Sequence, residues 1–195
     1  MALSASADER PKEANVRYLL HPVSVPGVFH PKVFLFGNRH RGQLMVGSAN
    51  FTNPGLTSNA ELVTHFEYEE GKREADRGVF QSAFSFLSEL VTLWPAEALT
   101  SNLTAAAQAA PWLAVIPTVA SHSGTTFVHN LHRSILDQLT EAIDGPVEHV
   151  YVLSRFFDSE PTLLKDLSEL VKPRGVTIFT ENGITTMTRD WLKHP

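Results

Sequence analysis

Short β-branched and aromatic runs open the chain: VRYLLHPV (16–23), VFHPKVFLF (28–36), QLMVGS (43–48) and AELVTHFEY (60–68). Turn-forming stretches separate them (VPG, GNRHRG and the polar loop ANFTNPGLTSN), so the pattern predicts four strands. From Glu69 to Trp94 the period changes. Val79, Phe80, Ala83, Phe84, Phe86, Leu87, Leu90 and Val91 recur at helical spacing, and Pro95 ends the expected helix. Phe80, Phe84 and Phe86 are expected in the core. Residues 95–125, with Pro111, Pro117 and a Ser/Gly cluster, predict a connector holding at most one short strand.

The last third alternates. A helix is expected over 125–143, a strand over 147–154, a helix over 161–172 and a strand over 175–180. Helix–strand–helix–strand order implies an α/β layer with a parallel sheet. The first dozen residues, rich in Ala, Ser and charge, predict a disordered lead-in over 1–14.

Composition narrows the classes. The 195 residues suffice for one sizeable domain or two small ones, and 43% hydrophobic content supports a packed core. The absence of cysteine excludes disulfides, cysteine-ligated zinc and a thiol nucleophile, and favours a reducing, cytoplasmic setting. No signal-peptide core and no apolar run of membrane-spanning length occurs, so a soluble intracellular protein is expected. The net charge of −5 hides an asymmetry. Residues 1–50 hold six Lys/Arg against three Asp/Glu, whereas residues 51–100 hold three against eight. An anionic partner therefore suits the first quarter best.

That quarter carries the candidate chemistry. His30 and Lys32 are two apart in an expected strand and so share a face, with Pro31 turned away. An imidazole is a nucleophile or base near neutral pH, and an ammonium is a fixed positive charge beside it. The GSAN turn adds Ser48 and Asn50 as donors for non-bridging phosphate oxygens, and Glu61 is a carboxylate able to orient an imidazole. Arg39, His40 and Arg41 are candidate contacts for flanking phosphates, with a solvated hairpin tip as the alternative. His129 and His132, three apart on the expected helix, suit surface or packing roles better than metal ligation. SRFFD (154–158) ends a strand, where α/β sheets place ligands, but Phe156 and Phe157 are expected as packing residues.

HPKVFLF…GSANFT…GL…NAEL resembles the phospholipase D superfamily motif, H-x-K followed by G-S-x-N and a downstream glutamate. Its wording is most similar to the prokaryotic nuclease-like branch. The resemblance implies a phospholipase D-like α/β fold, a mixed β-sheet flanked by helices. It also implies that His30 forms a phosphohistidine, that Lys32 and Asn50 hold the phosphate, that Ser48 assists, and that Glu61 orients a histidine. No metal or other cofactor is implied. Gly37 stands where the family often places an aspartate, which weighs against a lipid enzyme.

Residues 125–195 resemble the start of a second repeat of the same kind, leaving 15–95 as the motif-bearing part and 96–124 as a connector. No second H-x-K occurs. In the family, a second histidine protonates the leaving oxygen, so a homodimer or a larger two-motif protein is expected. The expected activity is a metal-independent phosphodiesterase, a nuclease acting on DNA more than RNA, without a membrane partner. The alternative is a catalytically silent nucleic-acid-binding or assembly module of the same fold. A phospholipid-headgroup enzyme is disfavoured, since no apolar membrane-binding segment is visible.

Overall fold

The computed structural model describes residues 21–25, 27–115, 124–158 and 162–183. The expected lead-in lies outside these residues, as do positions 16–20 of the first expected strand. The described remainder of that strand, 21–23, is not in a sheet. The chain divides into two compact units, Met1–Phe127 and Val128–Pro195.

The first unit is built on a three-stranded antiparallel sheet of β1 (Val33–Gly37), β2 (Arg41–Gly47) and β3 (Val63–Glu69), in that spatial order. Asn38 makes the β1–β2 turn, its Oδ1 accepting from the amides of His40 at 3.0 Å and Arg41 at 2.9 Å. An asparagine that hydrogen-bonds the backbone two residues on is a self-contained turn former. Register gives each face its character. Leu35, Leu44 and Phe66 lie abreast and face the core, while Phe34, Met45 and His65 lie abreast on the other side.

Helix α1 (Asn53–Thr57) fills the β2–β3 connection, and Thr52 caps it by accepting from Gly55 N at 3.1 Å. Helix α2 (Arg77–Leu93) is shorter than the expected helix, which began at Glu69. Residues 70–76 form a polar turn instead, with Gly71 at φ 72°, a conformation that glycine adopts without a Cβ clash.

Helix α3 (Glu97–Ala109) corrects the expected connector. Its Ala-rich composition has the highest intrinsic helix propensity, and Leu103 and Ala107, four apart, pack on the core. The downstream prolines had masked this signal: Pro111 opens only the short 3-10 turn Pro111–Leu113. That turn seats Trp112 in the core. Its ring stacks on Tyr68 at 3.9 Å and meets Phe80 edge-on at 5.4 Å, and its Nε1–H donates to Asn38 O at 2.8 Å. Gln81, the buried polar residue here, donates to Trp112 O at 2.8 Å. Phe80, Phe84 and Phe86 are buried as expected.

The second unit runs α4 (Ile135–Ala142), β4 (His149–Leu153), α5 (Thr162–Val171), β5 (Gly175–Phe179), with β4 and β5 parallel. The expected helix over 125–143 is reduced to its second half. Ser134 ends the irregular segment, its Oγ accepting from Asp137 N at 3.0 Å as a helix N-cap. Phe156 is 73% exposed rather than packed, with the Arg155 guanidinium 5.3 Å from its ring centre. The α/β class holds. The antiparallel and parallel pairings, however, fall in separate sheets rather than in one mixed sheet.

Candidate active site

His30 and Lys32 lie just before β1 rather than inside a strand. The pleat nevertheless extends to them, since Gly47 N reaches Lys32 O at 3.4 Å. The two side chains meet. Lys32 Nζ is 2.7 Å from both Nδ1 and Nε2 of His30 and 3.0 Å from its carbonyl oxygen. An ammonium offers donors only and a neutral imidazole has one acceptor nitrogen, so Lys32 donates to whichever ring nitrogen lacks the hydrogen, and the other contact is not a hydrogen bond. The pair is open to solvent on the His30 side.

The GSAN turn sits at the same end of the sheet. Gly47 has no room for a Cβ, because the Leu62 carbonyl of β3's lead-in lies against it. That close approach lets Ser48 bind both ways across the gap: Ser48 N donates to Leu62 O at 2.9 Å, and Leu62 N donates to Ser48 Oγ at 3.0 Å. Ser48 Oγ in turn donates to Glu61 Oε2 at 2.5 Å. Asn59 Nδ2 donates to Glu61 Oε1 at 3.2 Å. Ala49 is buried, and Thr52 N closes on Asn50 O at 2.8 Å, which leaves the Asn50 side chain exposed.

Electrostatics ties the two groups together. The Ser48 hydroxyl first and the Asn59 amide second hold the Glu61 carboxyl below its ordinary value; burial opposes them, and the Lys32 charge adds the smallest lowering. Glu61 is thus ionised at neutral pH and within reach of the Lys32 field. Both its oxygens are engaged by Ser48 and Asn59. The role of orienting a histidine is not visible: among the described residues no histidine hydrogen-bonds Glu61.

Arg39 and Arg41 are not brought to this site. Arg39 lies in the β1–β2 turn and Arg41 starts β2, at the end of the strand opposite Gly47, about 20 Å away at 3.4 Å per residue. Arg41 Nη2 pairs with Glu69 Oε1 at 3.1 Å, and neighbouring His40 pairs with Glu70 at 2.5 Å. His129 and His132 lie in irregular chain ahead of α4. Among the described residues, no three His, Asp or Glu side chains form a group able to hold a metal ion.

Two residues join the site without having been singled out from sequence. Asn59 is two positions before Glu61, so an extended NAE puts both side chains on one side; that spacing was the available signal. Phe51, next to Asn50, is 82% exposed, and its ring centre lies 5.7 Å from that of Phe34. No protein-family model, no curated protein and no solved structure matches the chain. Among the described residues no helix is long and apolar enough to cross a membrane.

Proposed function

We propose that the protein is a phosphodiesterase of phospholipase D-like type, a nuclease acting on DNA through a phosphohistidine, independent of metal. The observation that carries the reading is the 2.7 Å approach of Lys32 to the His30 ring, beside a serine turn clamped by an ionised Glu61. A phosphate entering this corner accepts the Lys32 N–H hydrogen bonds on its non-bridging oxygens, with Lys32 remaining charged. The His30 lone pair is released by the same exchange. The nitrogen then forms a P–N bond as the P–O ester bond breaks. Lys32 and the Asn50 amide offset the charge that develops on the non-bridging oxygens.

The leaving oxygen needs a proton, and His30 has become the phosphorylated group. A second histidine supplies that proton, then removes one from water as the water oxygen attacks phosphorus and the P–N bond breaks. A second copy of this chain across a twofold axis provides it, or a second motif in a larger protein does. Cleavage of DNA in EDTA by the wild-type protein, and none by His30→Ala, is the expected result. Metal-dependent cleavage that survives His30→Ala overturns the reading. DNA binding without cleavage, in the monomer and the dimer alike, would instead assign the chain to a silent binding module.

A further inference from the structure

The ring of Phe51 is exposed on a turn whose backbone is tightly held. Ala49, two residues before it, is buried, and Gly55 lies so tightly against the Asn50 carbonyl that a Cβ there has no room. Between these anchors Thr52 N binds Asn50 O and Ser48 is clasped to Glu61 and Leu62. The turn therefore holds Phe51 outward rather than leaving it to wander. One side of its ring meets Phe34 at a tilt of 45°, and the remainder faces solvent. Phe34 is two residues from Lys32 and on the same side of the strand, about 7 Å along at 3.3 Å per residue. The aromatic pair thus lies on the same side of the sheet as the Lys32 side chain, one same-side position along the strand.

We infer that Phe51, backed by Phe34, is a stacking platform for a nucleobase next to the phosphate held by Lys32 and Asn50, so that the substrate is single-stranded. The inference rests on the phosphodiester reading above and names the substrate class for the same site. A duplex hides both faces of each base in its own stack, and only an unpaired base can be laid on a protein ring. Every base has a π-face, so the platform is tolerant of sequence. Because the turn is already fixed, little ordering opposes the contact. Exposed Leu62 at the Ser48 clasp, and exposed Val28 and Phe29 just before His30 in the chain, are apolar, which also suits lipid. The paired rings and the rigid turn favour a base: α1, the helix on this turn, has only five residues, too short for an interfacial anchor.

The test uses the full chain in a His30→Ala background, so that bound strands persist, with fluorescence anisotropy at one fixed salt concentration. The probes are a short single strand, the same strand without bases, the matching duplex, and anionic phospholipid vesicles. Stacking predicts that Phe51→Ala weakens single-strand binding roughly 5- to 140-fold, that Phe51→Trp retains it, and that the abasic strand binds both proteins equally. Melting temperatures control for folding. Equal binding of base-bearing and abasic strands by the Phe51-containing protein overturns the platform while leaving the phosphodiester reading intact. Vesicle binding that depends on Phe51, with oligonucleotide binding unaffected by it, overturns it in favour of lipid. Failure to bind any of the strands defeats the nucleic-acid reading itself, and the platform with it.

Discussion

Ser48 Oγ donates to Glu61 Oε2 at 2.5 Å, closing the chain between residues 48 and 61 into a loop that presents Asn50 and Phe51. Ser48→Ala removes the largest influence that keeps the Glu61 carboxyl low. Its titration, followed by carboxyl NMR, should move up toward the ordinary glutamate value in the variant. An unchanged titration would show that the hydroxyl is not the cause.

The same bond gives a pH dependence with a defined sign. Glu61's folded-state value lies below its unfolded one, so its stabilising effect is complete above the unfolded carboxylate pKa. It is lost as pH falls through the lowered folded value. Amide exchange at Leu62, whose N–H is held by Ser48 Oγ, should therefore accelerate in the acid range relative to its intrinsic rate. In Ser48→Ala that acid-dependent change should be absent.

Lys32 separates charge from geometry. Lys32→Ala removes the donor 2.7 Å from His30 and, under the phosphodiesterase proposed above, should reduce kcat by about 10²- to 10³-fold, the usual effect of losing one charge-stabilising donor. Lys32→Arg keeps the charge but spreads it over a planar fork, and should recover only part of the rate. Full activity in Lys32→Ala would remove it from the chemistry.

Arg39 and Arg41 were attractive from sequence because they add positive charge near the motif. The hairpin carries them to its far end, where Arg41 is engaged by Glu69. Arg39→Ala and Arg41→Ala should leave kcat and KM for a short substrate unchanged within twofold or so. Losing the solvent-screened Arg41–Glu69 pair should leave stability nearly unchanged. A large fall in kcat for either variant would place the turn at the active site after all.

Phe80 is fully buried and packs against both members of the stacked Tyr68–Trp112 pair. Phe80→Ala should destabilise the first unit by roughly 3–5 kcal/mol, read as a lower midpoint of denaturation followed by tryptophan fluorescence, to which Trp112 contributes. A shift under about 1 kcal/mol would mean that the sheet and α2 do not share one core.

The parts of the fold legible in sequence were those where one face is buried and the period is local. Leu44, Val46 and their partners alternate as a sheet with one covered face must, and Val79, Ala83 and Phe86 recur as a helix on that sheet must. Helix α3 was hidden because its alanines have no apolar stripe: few large residues mark its packed side. The start of α4 was misplaced because Ser134 reads as one more polar residue until its hydroxyl is seen to cap Asp137.

The chemistry divides in the same way. Sequence alone determined that His30 and Lys32 share a side and that a GSAN turn follows, since alternation in an extended chain and a tight turn are local properties. Only the tertiary structure decided what those groups touch. Pairing β2 with β3 brought Glu61 to Ser48 instead of to a histidine, and the direction of the β1–β2 hairpin carried the arginines away. Strand pairing is a long-range choice driven by burial of the shared core, and no short window of sequence contains it.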